Sequence, residues 1–352
     1  MNSSASQPLR TVVAGLGRIG FGFHCPSIIA NPGFALVGIV DPLPDRRGEA
    51  RARFGTATSD SLEDMLGQTN PDLVVVASPT PFHAGQALTA FAHGAHVFCD
   101  KPIARTLAEF DRMAAAAQTT GRRLVAYQPC RHQPELRTLR TLVEQGMLGP
   151  VHLIRRSRCN YERRKDWQAF KAHGGGLLNN YGSHCLDELL WLLGDDTISR
   201  VYCHTRSIAT AGDADDFVKA SLTTARGLLI DLEISQASAL TGPVWEVFGA
   251  YGAARYDAGQ RTWLIRHYDV AAAPPLEAQN GFAAADRLYH TETLPWHEQT
   301  LQSVGTESFD YYEALRRHLV EGAVPPVTLE ETRSLLTLLE RCRASTESGT
   351  CT

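Results

Sequence analysis

The fold is decided by residues 11–41, TVVAGLGRIGFGFHCPSIIANPGFALVGIVD. This stretch opens with a short apolar run, residues 11–14, of the kind found in a strand covered on both faces. The run leads into GLGRIG, a G-x-G-x-x-G at residues 15–20, and a second apolar run at residues 35–40 ends in Asp41. Strand, glycines, helix, strand and terminal acid therefore follow one another in the order of a single βαβ unit.

The three glycines suit a phosphate-binding turn. Gly15 permits the tight turn, Gly17 lets the backbone approach a pyrophosphate, and Gly20 lets the helix pack close to its strand. The helix N-terminus then faces the phosphates, and Asp41 can accept hydrogen bonds from both hydroxyls of an adenosine ribose. These positions predict a dinucleotide site, for nicotinamide or flavin, in preference to an ordinary glycine turn.

Composition limits the class of protein. At 352 residues the chain is long for one core and natural for two domains, and its net charge of −4 predicts neither a nucleic-acid nor a membrane partner. Residues 1–10 lack the apolar core of a signal peptide, and no apolar run is long enough to span a bilayer. Eight scattered cysteines without a C-x-x-C pair indicate reduced thiols and a cytoplasmic protein, and the histidine spacing predicts no metal site.

The pattern of elements changes once along the chain. Strands and helices alternate through residues 1–129, which predicts an α/β Rossmann domain with a doubly wound parallel sheet. Residues 130–352 begin with a helix and continue with strand-like runs at hairpin spacing, which predicts an α+β domain with antiparallel neighbours. Residues 271–300 are interpreted as an extended loop, and two helices, over 306–321 and 329–343, close the chain.

Candidate chemistry follows three strands of the parallel sheet, since ligands bind outside the carboxyl ends of such strands. Residues 78–83, 100–102 and 127–131 lie at those ends. Among them Lys101 can polarise a substrate oxygen during hydride transfer. The alternative is a lysine that is merely neutralised by Asp100 at the end of a strand.

A second group of polar residues lies in GGGLLNNYGSHCLD, residues 174–187. His184 falls in the first turn of a predicted helix, where the helix terminus favours the neutral imidazole. Asp187 and Glu188 follow at helical spacing and are close enough to interact with it. A structural histidine is the alternative. Asp213, Asp215 and Asp216 either bind hydroxyls or cap a strand.

At these residues the sequence resembles the Gfo/Idh/MocA oxidoreductases, which include glucose–fructose oxidoreductase and inositol dehydrogenase. The resemblance runs from Thr11 to about Arg343 and rests on the following segments: 15–20, 80–83, 100–102 with Asp-Lys-Pro in place of the family's Glu-Lys-Pro, Arg131, and 174–187. It implies a second domain with an open, mostly antiparallel sheet that binds substrate and usually dimerises. A homodimer or homotetramer is therefore expected.

The resemblance also implies site residues. The lysine contacts the reacting hydroxyl and the nicotinamide ribose, the histidine is the acid/base, and an aspartate four positions before it assists. Here that position is Asn180. The expected catalytic residues are Lys101, His184 and Asn180. The expected cofactor-binding residues are Gly15, Gly17, Arg18, Ile19, Gly20, Asp41, Ser78, Thr80, His83, Asp100 and Lys101. The expected substrate-binding residues are Arg131, Tyr161, Arg163, Trp167, Asn180, Tyr181 and His184.

The sequence thus predicts an NAD(P)-dependent oxidoreductase that transfers a hydride between nicotinamide and a secondary alcohol or ketone of a sugar or cyclitol. NAD is favoured over NADP because Asp41 repels a 2′-phosphate, although Arg46 or Arg47 can offset this. The alternatives are a redox-assisted glycoside-cleaving enzyme with tightly held NAD and a non-catalytic sugar or dinucleotide sensor.

The asparagine at position 180 leaves three explanations open. Asp187 orients His184, Lys101 carries the proton, or the protein is a slow or non-redox member. The favoured hypothesis is a working enzyme whose Asn180 contacts a substrate hydroxyl, since one amide offers both a donor and an acceptor.

Overall fold

The computed structural model describes residues 7–276, 278, 292–303 and 309–352. Within them the chain forms one six-stranded parallel sheet and one eight-stranded, mostly antiparallel sheet, which confirms the predicted fold class. The parallel sheet has the strand order β3-β2-β1-β4-β5-β6. Its strands are β1 Leu9–Ala14, β2 Phe34–Val40, β3 Ala57–Ser59, β4 Leu73–Val76, β5 His96–Cys99 and β6 Leu124–Ala126.

Helices cover both faces of the parallel sheet, and its central strands are buried because of this. All four residues of β4, LVVV, are inaccessible to solvent, and burial of each such side chain is worth about 1.5–3 kcal/mol. The first helix begins with a π-helical turn at Gly20–His24 and continues as α1 Cys25–Ala30. The others are α2 Pro44–Phe54, α3 Leu62–Thr69, α4 His83–Ala92 and α5 Leu107–Thr120.

Two helices of this half begin at side-chain caps. Ser59 ends strand β3, and α3 starts after Ser61, whose hydroxyl accepts the Asp64 N–H at 3.2 Å. Thr106 caps α5 by accepting the Glu109 N–H at 3.1 Å. The Glu109 carboxylate in turn accepts the N–H of Arg105, the residue before the cap.

The second sheet has the order β14-β13-β12-β11-β7-β10-β9-β8. Its strands are β7 Val151–Cys159, β8 Ile198–Arg206, β9 Phe217–Thr224, β10 Leu229–Ser235, β11 Trp245–Gly249, β12 Gly252–Asp257, β13 Thr262–His267 and β14 His297–Gln302. The helices that accompany it are α6 Pro134–Glu144, α7 Ser183–Leu193, α8 Tyr311–Glu321 and α9 Leu329–Ser348. Strands β7 and β10 pair in parallel, so the sheet is mostly antiparallel, as expected. Helix α7 and strands β8 and β9 separate them along the chain, so no hairpin forces them to be antiparallel.

The end of the chain departs from its predicted loop and helix bounds. Strand β14 begins inside the segment 271–300 that was interpreted as a loop and runs to Gln302, and its backbone pairs with β13 at the sheet edge. Its sequence, HEQTLQ, lacks the apolar alternation that predicts a strand. Much of that segment, and the start of the helix predicted from residue 306, lie outside the described residues.

The last two helices contact the first sheet. On α8, Tyr312 packs edge-on against Phe34 and Phe98, both buried in the parallel sheet. On α9, the Glu340 carboxylate accepts the backbone N–H of Leu107 at 2.8 Å, at the start of α5. The C-terminal helices therefore connect the two sheets and fix the cleft between them. No helix in the described parts of the chain is long and apolar enough to cross a membrane.

Candidate active site

The glycine turn after β1 has the shape that its sequence predicts. Gly15 has φ +103°, and a Cβ placed there would lie 2.5 Å from the backbone nitrogen of Ser78. A Cβ on Gly20 would lie 1.9 Å from the Gly15 carbonyl oxygen, so the helix approaches the turn as closely as a glycine allows. A Cβ on Gly17 would meet no atom within 4 Å and would stand in open cavity space. The space over Gly17 is therefore available to a ligand.

Asp41 is held rigidly at the end of β2. Its side chain is 3% exposed, and its two carboxylate oxygens accept the backbone N–H groups of Leu16 at 2.8 Å and Leu43 at 2.9 Å. The guanidinium of Arg46 lies 3.6 Å from the same carboxylate. The hydrogen bond from Leu16 joins Asp41 to the glycine turn. One local structure therefore positions both the residue expected to contact a ribose and the turn expected to contact a pyrophosphate.

Lys101 follows strand β5 and reaches across to the second domain. Its Nζ donates to the Asn180 side-chain oxygen Oδ1 at 2.7 Å and to the Asn180 backbone oxygen at 3.2 Å. Within the described residues no carboxylate lies within ion-pair distance of Nζ, and the Asp100 carboxylate instead accepts the backbone N–H of Lys101 at 2.7 Å. Asp100 therefore does not neutralise Lys101 through a salt bridge.

A π-helical turn presents Asn180. The turn spans Leu178–Gly182 and precedes α7, and such turns often occur at functional sites because they redirect side chains. Two glycines before it pack closely: a Cβ on Gly175 would lie 2.3 Å from the Gln168 carbonyl oxygen, and one on Gly176 would lie 2.2 Å from the Asp215 carboxylate. The Asn180 amide is then fixed from its other side, because its Nδ2 donates to Gln168 Oε1 at 3.3 Å.

His184 is buried at the start of α7, with 8% of its surface exposed. Its Nδ1 is buried and has no hydrogen-bond partner in the described parts of the chain, so Nε2 is the nitrogen left for a ligand. Burial lowers the pKa of His184 well below its usual value, and the positive charges of Lys101, Arg158 and Arg156 lower it further. The imidazole is therefore neutral.

Asp187 does not orient His184, which corrects one of the explanations offered for Asn180. Its two carboxylate oxygens accept from Arg131, at 2.9 Å from Nε and 2.5 Å from Nη2. The third guanidinium nitrogen of Arg131 donates to Glu331 at 2.8 Å, on α9. Arg131 is 2% exposed, and its guanidinium is enclosed by these two acids. This geometry disagrees with the prediction that Arg131 binds substrate.

One cavity of about 740 Å³ joins the glycine turn to the Lys101 end. It brings together most of the predicted site residues, namely Gly15, Gly17, Arg18, Ile19, Asp41, Ser78, Thr80, Asp100, Lys101, Trp167, Asn180, Tyr181 and His184. A further set lines the same cavity without having been predicted as site residues: Tyr127, Glu162, Asp166, Gln168 and Asn179. Arg46 and Arg164 also line it. Tyr127 had a signal in the sequence, since it ends a strand of the parallel sheet.

Other predicted site residues lie away from this cavity. Gly20 packs under the turn, and the two ring nitrogens of His83 face the carbonyl oxygens of Ser78 at 2.7 Å and Pro102 at 3.0 Å. His83 therefore links the segments after β4 and β5 and does not line the ligand space. Tyr161 is 58% exposed and pairs through its backbone with residue 237, and Arg163 is also exposed.

The acids whose roles were left open hold loops in place. Asp216 accepts three successive backbone N–H groups, residues 208–210, at 2.6–2.7 Å. Asp215 accepts the Leu178 N–H at 2.8 Å, and Asp213 accepts the Lys171 N–H at 2.9 Å. None of these three acids lines the cavity, so they support the glycine segment and do not bind hydroxyls there. No cluster of metal-ligating side chains occurs among the residues that the structure describes.

Comparison with known proteins places the chain in a family. Residues 9–128 match the family described as "Oxidoreductase family, NAD-binding Rossmann fold", and residues 136–255 match the "GFO/IDH/MocA C-terminal domain". The chain is 26% identical over 337 residues to inositol 2-dehydrogenase 3 of Saccharopolyspora erythraea. This match covers 92% of the chain and 96% of the relative's length.

Two further relatives agree with this assignment. The chain is 28% identical over 208 residues to a D-glucoside 3-dehydrogenase of Escherichia coli, and this match covers 58% of the chain and 59% of the relative's length. The structure superimposes on an NAD-binding protein from Listeria innocua with a TM-score of 0.84 at 24% identity, over 98% of this chain and 99% of that one. The predictions of an oxidoreductase and of NAD as its cofactor are confirmed. The chain belongs to the Gfo/Idh/MocA oxidoreductase family, whose N-terminal domain has an NAD-binding Rossmann fold.

Proposed function

We propose that this protein transfers a hydride between NAD and a secondary alcohol or ketone carbon of a sugar or cyclitol. The observation that carries the proposal is the single cavity, lined at one end by the glycine turn and Asp41 and at the other by Lys101, Asn180 and His184. A ligand that spans both ends of this cavity would hold its nucleotide on the turn and its reactive group next to polar side chains of the second domain.

The residues at the nucleotide end fit NAD. Open space over Gly17 accommodates a pyrophosphate, and the carboxylate of Asp41, fixed by two backbone N–H groups, is placed for the adenosine ribose. When bound, nicotinamide supplies the acceptor or donor carbon for the hydride. The protein supplies the position of the substrate and a path for its proton.

Lys101 acts on the substrate oxygen. Its Nζ donates to both oxygens of Asn180, and the direction that remains at Nζ faces the cavity, where it can hydrogen-bond the reacting oxygen. His184 lines the same end of the cavity and offers Nε2 as a hydrogen-bond partner. For oxidation, the C–H hydrogen of the alcohol would leave with its electron pair as a hydride to NAD, the O–H proton would pass to the protein, and the C=O bond would form.

A polyol substrate fits the lining of this end. Glu162, Asp166 and Gln168 offer acceptors and an amide donor for hydroxyl groups, and Trp167, 37% exposed, offers an apolar face for a sugar ring. The named activities of two relatives, on a D-glucoside and on an inositol, support the same class of substrate.

The experiment is a panel of cyclitols, aldoses and glucosides incubated with NAD and followed by NADH absorbance, with mass spectrometry of any cofactor that co-purifies. Net NADH formation from at least one polyol is expected, with Gly17→Ala as a variant impaired in cofactor binding. Release of an aglycone without net NADH would overturn the proposal in favour of glycoside cleavage. NADH binding by calorimetry without turnover of any polyol would overturn it in favour of a sensor.

The proposal extends to a cytoplasmic homodimer or homotetramer. Strand β8 lies at the edge of the second sheet, buries Val201 and Cys203 on one face and leaves the ring of Tyr202 49% exposed on the other. Light scattering after gel filtration is expected to give two or four times the chain mass of 38.5 kDa. A monomer at micromolar concentration would contradict this part of the proposal.

A further inference from the structure

Lys101 is held by two oxygens of a single residue. Its Nζ lies 2.7 Å from Oδ1 of Asn180 and 3.2 Å from the backbone oxygen of Asn180. An uncharged lysine amine has two N–H donors and one lone pair. These two oxygens can accept both N–H groups, which leaves the lone pair as the remaining direction at Nζ. Because Lys101 lines the cavity, that direction is the one available to a substrate hydroxyl.

The surroundings of Nζ favour its neutral form more than water does. Burial lowers the pKa of Lys101 from its ordinary value. Five charged or titratable groups face Nζ from its own and neighbouring elements. Asp100 and Cys130 raise the pKa of Lys101, and Arg158 and Arg164 lower it. The fifth group is the imidazole of His184. An aspartate at position 180 would form an ion pair with Nζ at hydrogen-bond distance, whereas the amide of Asn180 brings no negative charge.

The orientation of the Asn180 amide is fixed by Gln168. Nδ2 of Asn180 donates to Oε1 of Gln168 at 3.3 Å, so the amide presents Oδ1, its acceptor, to Lys101. Gln168 lies in the 3₁₀ turn Trp167–Ala169, in the loop that follows β7, and its backbone carbonyl oxygen also accepts the N–H of Gly176 at 3.0 Å. Gln168 is therefore a positioning residue that acts through Asn180.

His184 is a poor acceptor for a proton. Its Nδ1 has no partner among the described residues, so no carboxylate stabilises an imidazolium there. The nearest acid on the same helix, Asp187, is fully engaged by Arg131. Protonation of His184 would place a buried positive charge near Lys101, Arg156 and Arg158. The ring can still accept or donate one hydrogen bond through Nε2.

We propose, on the basis of the function proposed above, that Lys101 and not His184 is the general base of this enzyme. During oxidation the hydroxyl proton passes to the lone pair of Nζ, which becomes an ammonium held by both oxygens of Asn180. The hydrogen of the C–H bond on the same carbon would pass with its electron pair to NAD as a hydride, and the C=O bond would form. His184 stays neutral and hydrogen-bonds the substrate oxygen through Nε2. Reduction runs through the same groups in reverse, with the ammonium as the acid.

The first test measures the titration of Lys101 without turnover. The chain has four lysines, Lys101, Lys165, Lys171 and Lys219, so protein labelled with ¹³C at lysine Cε gives four resolvable NMR signals. The Lys101 signal, assigned with Lys101→Met, is expected to titrate at lower pH than the other three. Asn180→Asp is expected to raise its midpoint by about 1–3 pH units, because an opposite charge then lies beside Nζ.

In this titration Lys219, paired with Asp231 and Glu233 on a distant part of the second sheet, is the internal control and should not move. Titration of Lys101 together with exposed Lys165, or no change in Asn180→Asp while the protein remains folded, would overturn the proposal. This experiment needs no substrate, so its result does not depend on whether the protein oxidises a polyol. The panel of polyols with NAD tests that activity separately.

The second test compares pH profiles of kcat/KM for oxidation of the best polyol. A base must be unprotonated, so activity rises with pH through its pKa and falls away below it. This rise is the acidic limb of the profile. In His184→Asn we expect a lower kcat/KM with the same acidic limb. In Lys101→Met we expect kcat/KM to fall by about 10²–10³-fold and the acidic limb to disappear. Asn180→Asp should displace the limb to higher pH. Loss of the limb in His184→Asn with its retention in Lys101→Met would identify His184 as the base and overturn the proposal.

Discussion

The two ends of the cavity are built in different ways. The nucleotide end uses backbone shape and one carboxylate, all supplied by a contiguous stretch from β1 to the end of β2. The substrate end uses side chains from three separate segments: the residue after β5, the loop after β7, and the π-helical turn that continues into α7. Local sequence therefore specifies the first end, whereas the second exists only when distant segments meet.

Arg131 offers the test with the largest expected effect, because sequence reasoning placed it at the substrate end and the structure encloses it between Asp187 and Glu331. Arg131→Met leaves a buried carboxylate unpaired, which should cost about 3–5 kcal/mol of unfolding free energy. Urea denaturation measures this. The matched control is Arg333→Met. It removes an exposed ion pair between α9 and Asp111 of α5, so it should leave the free energy of unfolding nearly unchanged.

If Arg131 bound substrate, its variant would instead keep the stability of the wild-type protein and raise KM strongly. Equal urea midpoints for Arg131→Met and wild type would thus contradict the structural role given to the buried pair.

The nucleotide end is tested by two glycines a few residues apart. Gly20→Ala drives a methyl group against the Gly15 carbonyl and should destabilise the fold by about 1–3 kcal/mol or more, since backbone has to move. Gly17→Ala meets no protein atom, so stability should stay at the wild-type level while NADH affinity falls by about tenfold or more. Thermal melting and calorimetry separate the two effects. NADH binding of Gly17→Ala equal to wild type would show that the pyrophosphate lies elsewhere.

These contrasts explain how much the sequence could predict. The roles of Gly15, Gly17 and Asp41 follow from sterics and chain order alone, so the motif predicts both residue and contact. The rule that ligands bind at strand carboxyl ends selected Lys101, which lines the cavity, and also Arg131, which does not. Position along a strand does not tell in which direction a long side chain turns.

Contacts between distant segments explain the remaining differences. Asp187 was expected to serve His184, three residues before it on the same helix, yet it pairs with Arg131 from the segment after β6. Gln168 had no signal in the sequence, because its role depends on the π-helical turn that brings Asn180 to its amide oxygen. A local pattern cannot rank such long-range partners against nearby ones.

Cofactor preference gives an effect of intermediate size at the nucleotide end. The carboxylate of Asp41 should repel a 2′-phosphate, so NADH is expected to bind more tightly than NADPH by about tenfold or more. Arg46, 3.6 Å from that carboxylate, would be the partner of a 2′-phosphate, so Arg46→Ala should weaken NADPH further and change NADH affinity by less than about threefold. Tighter calorimetric binding of NADPH by the wild-type protein would refute this account of Asp41.

Trp167 gives the smallest expected effect and tests the substrate end. Its ring is partly exposed and lines the cavity, so Trp167→Ala should raise KM for the best polyol by about 3–30-fold with kcat nearly unchanged, as for loss of one apolar contact. Trp167→Phe is the matched variant and should retain most of the affinity. A fall in kcat with KM unchanged would show that Trp167 stabilises the transition state and does not act through substrate binding.

The central claim is that one cavity brings the substrate carbon to nicotinamide, and transfer of an isotope tests it most directly. A polyol from the panel carrying deuterium on its reacting carbon is oxidised with unlabelled NAD, and the NADH formed is analysed by mass spectrometry. The account predicts NADH that is heavier by one mass unit, because the C–H electron pair and its nucleus move together. Unlabelled NADH, or aglycone release with no labelled NADH, would contradict direct hydride transfer in this cavity.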